Sequence, residues 1–147
     1  RFEAEYTESW KKDRIRIDIN KKPKAKIKPI KKSALFLTGN TIANLNTFEL
    51  ESLVARKILA MVMRTDGKDF YDTWHSIPKL DAKLLKKEIE WISKLENTGD
   101  LLTKALDRIN SIDAKDLSKF NNYIPVTRRP DWVLIKRDAA NFLESLK

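Results

Sequence analysis

The sequence predicts an α+β fold, with a small N-terminal antiparallel β part packed on a C-terminal helical bundle of about five to six helices. Three observations predict it. Apolar residues alternate with polar ones near the N-terminus and switch to helical spacing after residue 46. Only three Gly and five Pro occur, too few for an all-β fold of many tight turns. Finally, 147 residues with 41% hydrophobic content, six Phe, four Trp and three Tyr are the size of one ordinary domain with enough apolar mass for a core.

The elements follow in chain order. RFEAEYTE alternates Phe2, Ala4 and Tyr6 with polar residues, and DRIRIDIN alternates Ile15, Ile17 and Ile19 with Arg14, Arg16, Asp18 and Asn20. Period two makes each a strand with one buried face, and SWKKD between them reads as the turn of a hairpin. KKPKAKIKPIKK is a basic stretch whose two prolines forbid a central strand, so it is an edge segment or loop. SALFLT and TIANL are short strands around a turn at Gly39 and Asn40. The β part therefore covers residues 1–46 and the helical part 47–147.

Asn46, with Glu49 three residues on, resembles a capping box. Leu50, Leu53, Val54, Lys57, Ile58 and Met61 then recur at helical spacing, predicting a first helix over 47–64. A second helix over 68–77 places Phe70, Tyr71, Trp74 and Ile77 on one side and stops before Pro78. Asp81 caps a third helix through Leu95, Leu101 to Ile109 mark a fourth, and Asp113 caps a short fifth. Pro130 takes the first position of a last helix with the stripe Trp132, Ile135, Ala139, Phe142 and Leu146.

Composition excludes several function classes. Cysteine is absent, which removes disulfide scaffolds, thiolate metal sites and cysteine nucleophiles together. A single His75 rules out a multi-histidine metal site and leaves oxygen ligands for a hard cation such as Mg²⁺. No apolar run approaches the roughly 20 residues that span a bilayer, and no signal peptide opens the chain, so a cytoplasmic location without membrane contact is expected. The formal charge is +9, and residues 1–32 carry twelve Lys or Arg against five acids. Such a basic segment attracts polyanions, unless it is only a solvated edge that keeps a strand from aggregating. The chain opens at Arg1 directly on a strand-like pattern and reads as a piece of a longer protein.

Lys57 is the first candidate for chemistry, because its place on the apolar stripe makes its ammonium costly to desolvate. Either the side chain snorkels outward along its stem or it stands in a cleft to meet an anion. Arg64 lies two turns on, and a Lys and an Arg so spaced along a cleft suit a polyphosphate. Asp69 and Asp72, three apart, share a face of the second helix, where exposed acids also simply complement the helix dipole. Asp18 points from its strand to the face opposite Ile17 and Ile19.

Taken together, ELESLVARKILAMVMRTDGKDFYDTW resembles the signature of the AbiEii/AbiGii-type nucleotidyltransferases, toxin components of abortive-infection and toxin–antitoxin systems. Glu51, Leu53, Ala55, Lys57, Ala60, Arg64, Lys68, Asp69, Tyr71 and Asp72 occupy the positions of that signature. IRIDIN resembles the strand that supplies the third carboxylate of the polymerase β-like fold, here Asp18. The resemblance implies a partial nucleotidyltransferase fold, a nucleoside triphosphate as substrate, Mg²⁺ held in part by Asp18, an RNA or protein acceptor, and an antitoxin in the same system. It further implies that Asp18, Lys57, Asp69 and Asp72 form the catalytic set, with Lys57, Arg64 and Lys68 on the phosphates. The family's Gly-Ser turn and Asp-x-Asp pair occur nowhere in these residues. The expectation is therefore the C-terminal portion of such an enzyme, inactive as this isolated chain. Two other readings stand beside it: a non-catalytic nucleic-acid-binding module drawing on the basic N-terminal segment, Arg128, Arg129, Lys136 and Arg137, and a protein-interaction module.

Overall fold

The structure is a computed structural model and describes residues 2–8, 11–17, 26, 30–35 and 42–147; side chains are described at 26, 30–32, 44 and 46–147. Strands β1 (Phe2–Glu8) and β2 (Lys11–Ile17) pair antiparallel, as do β3 (Ile30–Leu35) and β4 (Ile42–Thr47). The register sets Phe2 opposite Ile17, Glu3 opposite Arg16, Ala4 opposite Ile15 and Glu5 opposite Arg14. The predicted turn SWKKD is too long, because Lys11 to Asp13 already belong to β2. Asp18 and the turn at Gly39 and Asn40 lie outside the described residues.

Six α-helices follow: α1 (Leu50–Met63), α2 (Gly67–Ser76), α3 (Ala82–Leu95), α4 (Leu101–Ser111), α5 (Ala114–Leu117) and α6 (Trp132–Ser145). The α+β class is as predicted. Aspartate starts most of the helices: Asp66, Asp81, Asp100, Asp113 and Asp131 each accept backbone N–H groups of the first turn. A short carboxylate does this best where four N–H groups are otherwise orphaned.

Three sequence expectations change. Asn46 belongs to β4, and α1 starts at Leu50 behind Glu49, whose side chain makes no cap bond, so the capping box is not formed. Pro130 lies just before α6 and not within it, since Asp131 takes the cap position and its carboxylate bonds the N–H groups of Val133 and Leu134. The stripe of α6 then runs Trp132, Ile135, Ala139, Leu143 and Leu146, with Phe142 only half-buried.

The core is formed where α1 packs against α2, α3 and α4 and where α6 closes over α2, α4 and α5. Val54, Ala55, Ile58 and Met61 of α1, Phe70 of α2, Leu85, Ile89 and Ile92 of α3, and Ile109 of α4 lie fully inside. Burial against three neighbours gives α1 a wide apolar arc centred on 51, 54, 55, 58 and 61. Leu53 is exposed and Lys57 stands at the flank of that arc, not at its centre as the predicted stripe had it.

Glu51, inside that arc, accepts the backbone N–H of Asp81 at 3.0 Å and fastens α1 to the start of α3. Gly67 has a comparable positional reason. A Cβ there would stand 2.3 Å from the carbonyl oxygen of Leu117 and 2.8 Å from Cβ of Phe120, so the start of α2 approaches α5 and the following turn only without a side chain.

Candidate functional site: a buried aspartate holding two cations

The turn between α1 and α2 brings together the charged residues singled out from the sequence. Asp66 caps α2, which places Asp69 in the first turn beside Phe70 and points it back at α1. Asp69 is fully buried, so it is not one of the exposed dipole-complementing acids allowed for above. Its carboxylate is satisfied from two directions. Lys57 Nζ donates to Oδ1 at 3.1 Å, and Arg64 grips both oxygens, Nε to Oδ2 at 2.8 Å and Nη2 to Oδ1 at 3.2 Å. Asp72, one turn further along α2, meets Lys57 from the solvent side at 2.8 Å. Below, the Thr73 hydroxyl donates to the Asp69 carbonyl at 2.8 Å and holds the turn of helix that carries it.

Electrostatics follow from this geometry. Burial alone would push the Asp69 carboxyl up, but the hydrogen bonds and charges of Arg64 and Lys57 outweigh it and hold it below the ordinary carboxylate range. Partial burial pulls the Lys57 ammonium down, and its bonds to Asp72 and Asp69 more than restore it, so it sits above the ordinary lysine range. Arg64 is held up by its hydrogen bond to Asp69. All three are therefore charged near neutral pH. The side chain of Lys57 is 31% exposed and that of Arg64 53%, against 0% for Asp69.

An ammonium has three N–H groups and a guanidinium five. Two of each are used on the acids, leaving one on Lys57 and the remainder of the Arg64 fork free at the surface. The arrangement differs from the sequence expectation in one respect: Lys57 finds intramolecular carboxylates and still presents a donor outward. Lys68 is set apart, with its Nζ 3.4 Å from Asp66.

Metal binding is a separate question. Among the described residues no group of three His, Asp or Glu side chains could hold a metal ion. Asp69 and Asp72 are engaged by cations, so the donor set here suits an anion and does not fit Mg²⁺.

The family model of the nucleotidyl transferase AbiEii toxin, type IV toxin–antitoxin system, matches residues 1–143. The chain belongs to the AbiEii nucleotidyl transferase toxin family. No curated protein and no solved structure matches it. Membership covers the β part as well as the helices, beyond the stretch in which the sequence signature was read. No helix among the described residues is long and apolar enough to cross a membrane.

The basic residues behind the nucleic-acid-binding alternative are in part engaged within the AbiEii chain. Lys136 donates to the carbonyl oxygen of Ile112 at the end of α4, and Arg137 pairs with Asp138 at 3.2 Å. Trp132 is core, with its indole N–H on Asn121 at 2.9 Å. Sequence reading missed the buried state of Glu51 and Glu88. A signal was present for Glu51, an acid inside the apolar arc of α1, but its partner is a backbone N–H thirty residues away.

Proposed function

We propose that the chain carries the phosphate-binding part of an AbiEii nucleotidyltransferase. In this reading Lys57 and Arg64 receive the triphosphate of the incoming nucleotide. Asp69 positions both cations, and Asp72 holds Lys57 from its other side. The observation that supports it is one fully buried carboxylate gripping two cations, Lys57 within α1 and Arg64 at its C-terminal end, each with unused donors at the surface. A purely structural ion pair needs no second cation, and a second cation held beside the first creates a charge pair that a polyphosphate can bridge.

The chemistry of the family is transfer of a nucleotidyl group to an acceptor, RNA or protein. What these residues contribute is charge neutralisation and orientation: the ammonium as a point charge and the guanidinium as a fork on the phosphate oxygens. Asp18 is assigned the third carboxylate and the Mg²⁺ ligand by resemblance alone. Lys68 is a more distant phosphate contact. Because the 147 residues contain neither Gly-Ser nor Asp-x-Asp, the chain as given binds nucleotide without turning it over.

The test is thermal unfolding with and without a nucleoside triphosphate. A ligand at 100 times its Kd adds roughly 2.7 kcal/mol to the folded state. Protection of the native chain that vanishes in Lys57→Ala is expected, and equal protection of both proteins overturns the assignment. Measurable nucleotide transfer by the chain alone would remove the inactivity claim.

A further inference from the structure

Beyond the ion cluster, at the other side of the α1–α2 turn, the chain exposes a large aromatic ring that the fold does not need. Tyr123, in the 3₁₀ turn over 118–123, is 81% exposed. Its ring packs at 5.6 Å on Phe120, and Phe120 is held by Tyr71 at 6.1 Å and by the edge of Trp132 at 6.4 Å. An exposed ring on so rigid a support is already ordered, so a flat ligand stacking on it loses little entropy.

Two adjoining concavities of about 310 and 370 Å³ share Asp66, Phe120 and Tyr123. That is room for a base with its sugar. Two ion pairs flank them, Lys68 with Asp66 at 3.4 Å and Lys119 with Asp116 at 2.8 Å, and Arg108 donates to the Thr65 hydroxyl. A cleft walled by the rings of Phe120 and Tyr123, with its acids paired to lysines and amide, hydroxyl and carboxylate groups at its rim, from Asn122, Thr65 and Asp66, suits a flat heteroaromatic ring. Its lining residues are chain neighbours of the ion cluster: Thr65 and Asp66 directly follow Arg64, and Lys68 directly precedes Asp69.

We propose that this cleft is the nucleobase subsite for the nucleotide whose phosphates meet Lys57 and Arg64, with the base stacked on Tyr123 beside Phe120. The inference rests on the phosphate reading above and adds to it which end of the nucleotide lies where. Stacking of this kind tolerates every base, because each has a π face.

The experiment is calorimetric titration of the full chain with two probes, a nucleoside triphosphate and inorganic tripolyphosphate. The nucleotide is expected to bind about tenfold tighter, the order that one stacked base contributes. Tyr123→Ala, at a position too exposed to unfold the chain, lowers nucleotide affinity to that of tripolyphosphate and leaves tripolyphosphate unchanged, while Tyr123→Trp restores the difference. Equal affinity of the two probes for the native chain, or a Tyr123→Ala protein that binds nucleotide normally, overturns the subsite and assigns Tyr123 to a protein-facing surface. Nucleotide binding that falls in Tyr123→Ala but survives Lys57→Ala keeps the stacking site and removes the phosphate assignment. If neither probe binds the native chain, both fall.

Discussion

Two fully buried carboxylates in this molecule have been given opposite surroundings. Asp69 on α2 is met by side-chain cations that reach on to solvent, whereas Glu88 on α3 accepts the backbone N–H of Lys26 at 3.1 Å. Arg56 lies near Glu88 as well, 4.5 Å from the ring of Phe48; burial pushes its guanidinium down, against the pull of Glu88 and Glu96. A buried carboxylate that binds main chain tethers it, here the backbone of Lys26 to α3. A buried carboxylate that binds two long side chains sets the position of charges at the surface. Burial alone therefore does not distinguish a structural acid from one serving a site; the partners do.

Removing each acid sharpens this contrast, and the largest effect is expected here. Asp69→Asn leaves Lys57 and Arg64 without their common counter-charge and should lower unfolding stability by about 3 kcal/mol, the order for breaking a buried pair. It should also abolish nucleotide protection. Glu88→Gln should cost about 1.5–3 kcal/mol, the worth of a hydrogen bond to a buried charge, and leave nucleotide affinity within twofold. Denaturant titration and ligand titration on the same proteins check both, and a Glu88→Gln protein that loses nucleotide would erase the distinction.

The acid limb of stability separates the native chain from Asp69→Asn as well. The Asp69 carboxyl is held below its unfolded value of about 3.8 by Arg64 and Lys57, which overcome burial. A depressed carboxyl contributes its full stability above the unfolded pKa and loses it as pH falls through the folded one. Stability of the native chain should thus drop steeply below about pH 4, and Asp69→Asn should show a shallower limb there. Lys57 works in the other sense. Its raised ammonium contributes fully below the unfolded lysine value and loses that contribution only as strongly alkaline pH passes the folded one.

A mutation that touches neither acid tests whether their placement depends on separate packing. In Gly67→Ala the new Cβ meets the Leu117 carbonyl oxygen at 2.3 Å, so α2 must shift away from α5. Overpacking of this kind costs roughly 1–3 kcal/mol. Because Gly67 lies two residues before Asp69, nucleotide affinity should weaken with stability. The Glu51 bond from α1 to Asp81 lies across the bundle from this shift and should hold.

How far the sequence reveals all this follows from the range of the forces concerned. The spans of α3 and α4 and the start of α5 were legible because aspartate caps and 3.6-residue periodicity are local signals, whereas Phe120, expected in the fifth helix, lies in the 3₁₀ turn that follows it. Lys57 stood out because an ammonium beside an apolar arc conflicts with its neighbours, and Asp69 and Asp72 because their spacing places them on one helix. Their joint grip on Lys57, the burial of Asp69 and its bidentate hold on Arg64 were not legible, since all three depend on how closely α2 docks on α1. Where α2 starts is set by Asp66 at its cap and by the approach of Gly67 to Leu117 of α5, fifty residues away. The bond from Glu88 to residue 26 was illegible for the same reason: a backbone N–H leaves no trace in side-chain patterning.

The smallest effect is expected at Lys68, which the family signature groups with the phosphate contacts. Its ammonium is 3.4 Å from Asp66 and 43% exposed, an ion pair of the kind that contributes no more than about 1 kcal/mol. Lys68→Ala should leave stability almost unchanged, shift nucleotide affinity by less than about threefold at physiological salt, and lose even that difference at roughly 1 M salt, where the screening length falls to about 3 Å. Calorimetric titration at the two salt concentrations reads the result. A loss of tenfold or more that persists in high salt would move Lys68 into direct contact with the phosphates. The cleft beside Tyr123 would then carry a phosphate-binding cation on its wall, and its assignment to the base alone would no longer hold.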